Sequence, residues 1–293
     1  MRSLVPVAVA LLVACVSEDR APIGGNGAVD AGSSGASSSS GGSSGSSSGS
    51  GGSSSGSSGA DGGIRCESLP SSAVLRLAAA SLPGADGAVV PSWTSANLPG
   101  HPALTAACSG ATLRKTATKS SLVFAGDGGC ELADGVDTRI AEGDFAVLAV
   151  AEPQRTPISG TYDAMVSKAD GNRGFLLGAP FLQDGNTPVP TGTELAFGSK
   201  NVVRTLALDT TTHVFAVSRI GAKLSFFVDG VSAGTNDAAA GNDDVATALV
   251  IGNAPGRSDH GFQGRIYDVV VLRAPSEADV TSTSACFVQA YRP

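Results

Sequence analysis

The chain has 293 residues, 42% of them hydrophobic, 15% charged and only 5% aromatic. Its formal net charge is −7 at pH 7 and no block of Lys and Arg occurs, which argues against nucleic acid or an acidic membrane surface as the main partner. Five cysteines are present without a CxxC pair, so zinc and dithiol redox centres are weakly supported.

At the N-terminus Arg2 supplies a minimal positive region, and Leu4 to Val13 form an apolar run of ten residues. A spanning helix needs roughly 20, so the run reads as a processing signal. It ends in Leu12-Val13-Ala14-Cys15. This stretch resembles a bacterial lipobox, which implies that Cys15 becomes the first mature residue and carries a diacylglycerol thioether and an acyl chain. Two or more chains suffice for stable anchoring. Val16 rather than Asp follows the cysteine. By the enterobacterial sorting rule that predicts the outer membrane, with the body either periplasmic or surface-exposed.

Residues 24 to 63 contain only eight that are not Gly or Ser. Such a segment has almost nothing apolar to offset the entropy of ordering it, so residues 16–63 read as a disordered tether. A Gly/Ser chain of this length has a typical end-to-end distance of roughly 35 Å.

Residues 64–293 are enough for one all-β domain with a substantial core. Strand patterns fall at Ser121–Phe124, Asp144–Ala151, Tyr162–Ser167, Gly174–Leu177, Thr205–Leu208, Thr212–Ile220, Lys223–Val228, Ala248–Ile251 and Arg265–Leu272. In Thr212–Ile220, His213, Phe215 and Val217 alternate with Val214, Ala216 and Ser218, giving two faces. Asp229-Gly230 follows Val228 and precedes Val231, the strongest short signal for a hairpin. Ser276 with Asp279 has the spacing of a capping box and predicts a short helix after the last long strand. Trp93 lies in an irregular Pro/Asn/Gly-rich segment, and packing in the core or under a loop is expected for it.

Cys66, Cys108, Cys130 and Cys286 are even in number, and the N-terminal signal implies that they lie outside the cytoplasm. Three pairings are open to them. Cys108 with Cys130 and Cys66 with Cys286 is favoured, because the second bond joins the two ends of the domain.

Four ordered segments resemble the laminin-G-like, concanavalin A-type jelly rolls: SLVFAGD from Ser121, EGDFAVLAVAEP from Glu142, LSFFVDGV from Leu224, and Leu249 to Leu272. The resemblance spans residues 75 to 290 and implies a two-sheet antiparallel sandwich that binds glycans or extracellular proteins. Val150 stands where the family often has Trp, and Tyr267 where it often has an acid, with Asp268 beside it.

A related group of jelly rolls hydrolyses glycosides, which takes two carboxylates about 5.5 Å apart. Glu142-Gly143-Asp144 comes nearest but lies in the turn before its strand, with Val147 where a third acid would stand. His101, His213 and His260 accompany no nucleophile elbow. The loop holding Arg257, Asp259 and His260 is the candidate for ligand contact, since three polar residues cluster there at the sandwich rim. The resembled family makes calcium the one cofactor in view. Oxygen ligands are offered by Asp127, Asp134 and Asp137, by Asp170 and Asn172, and by Asn242, Asp243 and Asp244, none in EF-hand spacing. The sequence thus predicts a lipid-anchored envelope protein with a non-catalytic binding domain. A structural or adhesive surface protein without a pocket is the alternative, and a diverged glycoside hydrolase the more distant one.

Overall fold

The computed structural model describes residues 66, 68–140, 142–154, 163–170, 173–178, 192–197, 200–205, 210–237, 244–254 and 261–292. They hold strands β1 (Ala73–Ala78), β2 (Ser92–Thr94), β3 (Thr105–Ser109), β4 (Thr112–Lys115), β5 (Ser120–Ala125), β6 (Gly129–Leu132), β7 (Phe145–Pro153) and β8 (Ala164–Asp170). There follow β9 (Arg173–Gly178), β10 (Gly192–Phe197), β11 (Lys200–Thr205), β12 (His213–Ile220), β13 (Lys223–Val228), β14 (Val231–Asp237), β15 (Leu249–Ile251) and β16 (Gln263–Arg273). A 15-residue helix, α1 (Glu277–Tyr291), comes last. No described helix is long and apolar enough to cross a membrane.

The strands form two antiparallel sheets of a jelly-roll sandwich. The first runs β14-β13-β12-β7-β16-β5-β4 and the second β11-β10-β9-β8-β15-β6-β3-β2. β16 divides its outer edge: Gln263–Ile266 pair with β5, and residues Ala73 to Ala78 of β1 pair along Asp268–Leu272. A long edge is thereby covered twice over, leaving little of it open to another chain.

Alternation along β7 explains why its sequence is a nearly unbroken apolar run. Phe145, Val147, Ala149 and Ala151 enter the core between the sheets, while Ala146, Leu148 and Val150 enter a second cluster on the outer face. A strand buried on both sides keeps no polar face. The inter-sheet core joins Phe215, Val217, Phe226, Val269 and Val271 of the first sheet to Met165, Phe175, Leu177 and Ile251 of the second. The rings of Phe145 and Phe175 meet across it at 5.4 Å.

The second cluster exists because α1 lies over the first sheet. Ser276 accepts from the Asp279 N–H and the Asp279 carboxylate accepts from the Ser276 N–H, so the predicted capping box is present. Val280, Thr283, Ser284 and Phe287 follow at helical spacing and are buried. Covering Phe287 alone is worth about 1.5–3 kcal/mol. α1 is thus the one short helix expected after the last long strand.

Both favoured disulfides form. Cys66–Cys286 ties the start of the domain to α1, and Cys108–Cys130 joins directly paired residues of β3 and β6. The hairpin is also as read: Asp229 and Gly230 have φ of 54° and 76°, and Val228 pairs with Val231. Two readings differ. Trp93 is fully buried in the core but stands in β2, a regular edge strand. The strand expected from Thr205 instead ends there, and Leu208 lies outside the described residues.

Candidate ligand rims and their polar clusters

Strand register places the loops at two opposite rims. At the first rim lie segment 95–104, the β6–β7 connection, the β12–β13 turn at Gly221, residues 244–248 and the start of α1. At the second lie the Asp229-Gly230 turn, the entry to β12 and the β15–β16 connection.

The first rim is organised around a lysine. Lys168 Nζ, with a fully buried side chain, donates to Asp134 Oδ1 at 2.9 Å, to the carbonyl of Thr247 at 3.0 Å and to that of Val245, with Asp244 Oδ1 at 3.5 Å. Asp134 also accepts from Arg139 Nε and Nη2 through its other oxygen. Those bonds from Arg139 and Lys168 hold its carboxyl below the usual range. Nearby, His101 Nδ1 donates to Asp137 Oδ1 at 2.8 Å, and Arg273 donates to the Val136 carbonyl. His101 also borders a shallow depression, open to solvent, lined by Asn97, Leu98, Pro99, Gly100 and Pro102.

The second rim carries two pairings that continue onto the outer face of the first sheet. His213 Nδ1 donates to Asp229 Oδ2 at 2.8 Å, the Val214 N–H donates to Asp229 Oδ1 at 2.9 Å, and Arg292 pairs with the same carboxylate. Burial raises the Asp229 carboxyl, but these partners outweigh it and leave it below its ordinary value. Beside it Arg265 donates to Glu152 Oε1 at 2.9 Å and the Tyr267 hydroxyl to Oε2 at 2.7 Å. Burial, then the bond to Glu152, raises the Tyr267 phenol.

Under α1 this row meets a buried ion pair. A bulge between Ile266 and Asp268 turns both Tyr267 and Asp268 outward. Arg76 holds Asp268 through Nε at 3.2 Å and Nη2 at 2.8 Å, and also donates to the Cys66 carbonyl at 2.6 Å. The Tyr291 hydroxyl donates to Asp268 at 3.3 Å. Burial pushes Asp268 up to about 6 against the pull of Arg76, and burial followed by the Asp268 charge raises Tyr291.

The residues singled out in the sequence distribute as follows. Arg257, Asp259 and His260 lie outside the described residues, between Ala254 and Gly261, and Gly261 bridges Ala164 at the second rim. Glu142 is exposed, while Asp144 Oδ1 accepts the Gly221 N–H at 2.9 Å and so holds the β12–β13 turn. Of the oxygen ligands considered for calcium, Asp134 and Asp244 are brought together, but around Lys168; Asp137 is bound to His101. Asp127 and Asp170 are exposed, and Asn172, Asn242 and Asp243 lie outside the described residues. Among the described residues no three His, Cys, Asp or Glu gather as a metal site. Cys15 and the tether likewise fall outside them.

Three features escaped the sequence reading. Glu152 and Arg265 are directly paired residues of β7 and β16, visible only once register is known. Asp229 serves both as turn residue and as acceptor for His213. Lys168 did leave a signal: it lies two residues beyond Val166, on the inward side of an apolar strand, and a lysine there must find oxygens to replace water.

Residues 124–281 match the laminin-G family described as the concanavalin A-like lectin/glucanases superfamily, and the chain belongs to that family. A search of curated proteins finds no match. Among solved structures, Trypanosoma rangeli sialidase in complex with sialic acid is similar at 12% identity over 77% of this chain and 34% of that one, with a TM-score of 0.54. The binding domain of botulinum neurotoxin DC in complex with rat synaptotagmin II gives 9% identity, 74% and 52% coverage, and 0.52. The binding domain of Paraclostridial Mosquitocidal Protein 1 gives 13%, 73% and 52%, and 0.51. The chain spans about a third of the sialidase and about half of the two toxin chains. Identities this low speak to the fold alone.

Proposed function

We propose that this chain is a lipid-anchored envelope protein whose sandwich is a non-catalytic module for a glycan or an extracellular protein. Family membership and the ligands named with its structural neighbours, sialic acid and synaptotagmin II, support a surface-recognition role. The observation that favours binding over hydrolysis is the state of the nearest acid pair. Asp144 is committed to a backbone N–H and Glu142 stands in an exposed turn, whereas retaining hydrolysis needs a nucleophile and a general acid facing one bond.

Recognition is assigned to the second rim. Among the described residues the large aromatics Trp93, Phe124, Phe145, Phe175, Phe215, Phe226, Phe262 and Phe287 are buried, which favours polar loops for the contact. Arg257, Asp259 and His260 fall in sequence between β15 and β16, outside the described residues. The test is binding of the purified protein to envelope polysaccharides, a glycan array and extracellular proteins. Replacing all three residues with Ala weakens binding more than about tenfold, or roughly 1.4 kcal/mol, with thermal stability nearly unchanged. Unchanged affinity removes this loop from the site. Absence of any ligand supports the adhesive or structural alternative, and turnover abolished by Glu142→Gln or Asp144→Asn replaces the binding reading with a hydrolase.

A further inference from the structure

Four oxygens surround Lys168 Nζ: carboxylate oxygens of Asp134 and Asp244 and the backbone carbonyls of Val245 and Thr247. They come from two chain segments far apart in sequence, the connection after β6 and the residues before β15, while the lysine itself comes from β8. Thr247 Oγ1, on the same short segment, is buried without a hydrogen-bond partner. Two carboxylates, two carbonyls and a hydroxyl are hard oxygen donors, the set that a calcium ion takes at 2.3–2.6 Å. An ammonium wants the same donors a few tenths of an ångström farther out. Three segments of the first rim are thus drawn onto one positive centre supplied by the chain.

We propose that Lys168 is the resident cation of the first rim, an internal ammonium in place of a divalent metal, and that removing it uncovers a calcium site built from Asp134, Asp244, Val245 and Thr247. Charge favours a replacement: without the ammonium, the carboxylates of Asp134 and Asp244 and two carbonyl dipoles face one another around the vacated centre, while Arg139 is bonded to the other oxygen of Asp134. The Lys168 side chain is fully buried, so truncation to Ala vacates the centre itself. Truncation to Met fills the volume with an apolar chain and leaves no room for an ion. The wild-type rim, holding its own cation, has no need of calcium.

The experiment is thermal denaturation of the purified full-length protein and of Lys168→Ala and Lys168→Met, each in EDTA, in 5 mM magnesium chloride and in 5 mM calcium chloride. The expected pattern is a wild-type Tm that calcium moves by less than 1 °C. Lys168→Ala loses at least 5 °C in EDTA and regains at least half of it in calcium but not in magnesium, which demands a tighter octahedral shell. Lys168→Met loses a similar amount and regains nothing. A calcium gain in the wild type equal to that of Lys168→Ala overturns the proposal, as does a Lys168→Ala variant indifferent to calcium. If Lys168→Ala does not accumulate, Lys168→Ser takes its place, and calcium binding by Lys168→Ser is read by isothermal titration against the wild type; equal binding by both refutes the idea. Ligand binding at the second rim plays no part in these readouts.

Discussion

Asp268 is a carboxylate taken almost wholly out of water and held by Arg76 and Tyr291. Burial favours its neutral form, so its folded value of about 6 lies above the ordinary value near 4. In that interval the folded chain keeps a proton that the unfolded chain has lost. The contribution of Asp268 to stability is therefore fullest below about pH 4 and falls as pH rises to about 6. Asp229 and Asp134, with lowered values, work the other way and in a lower window, losing their contribution as pH drops below about 4. Urea unfolding of the wild type and Asp268→Asn at pH 4, 5, 6 and 7 separates these groups. The wild type loses on the order of 3 kcal/mol relative to the variant across that range; parallel curves exclude the assigned role. The sequence displayed Asp268 beside Tyr267 but not their common orientation, because a bulge is set by pairing with β7 and leaves no trace in residue periodicity.

Among elements, α1 has the most to cover and the least sequence to announce it. Its capping box was legible because two side chains and two backbone groups at fixed spacing define it. Its buried face was less legible, since Thr283 and Ser284 occupy buried positions and blur the apolar stripe. The same logic separates the strands. β12 and β13 were read closely because large apolar residues alternate there and a two-residue turn joins them. β3 and β2 were missed, since Thr105, Ala107, Ser92 and Thr94 turn small side chains to solvent. With Cys66 bonded to Cys286, the helix and the N-terminal entry are held on the sheet together, over Ala146, Leu148 and Val150. A loop of 220 residues closed by one bond implies about 5 kcal/mol by chain entropy, and 2–5 kcal/mol is usual when a native bond is lost. Cys286→Ser should lower unfolding free energy by that amount and speed amide exchange in α1 more than in β7 and β16. Equal protection of helix and sheet in the variant would show that packing alone seats α1. Thiol labelling of the denatured, unreduced wild type should find none of these four cysteines reactive.

At the scale of the whole molecule, the described surfaces bear on how the proposed anchor would act. The second core cluster places α1 over an outer face of the first sheet. The described large hydrophobics that stand exposed, Val89, Val136 and Val231, are separate in sequence and element. Under the proposed function, membrane association rests on Cys15. On that proposal Cys15→Ala should move the protein from the membrane pellet to the soluble fraction, with its Tm and its ligand affinity unchanged. Retention in the membrane fraction at normal yield would exclude Cys15 as the anchor. Density-gradient recovery of the wild type with outer-membrane markers tests the sorting expectation drawn from Val16, and recovery with inner-membrane markers would refute it while leaving the domain's own binding untouched.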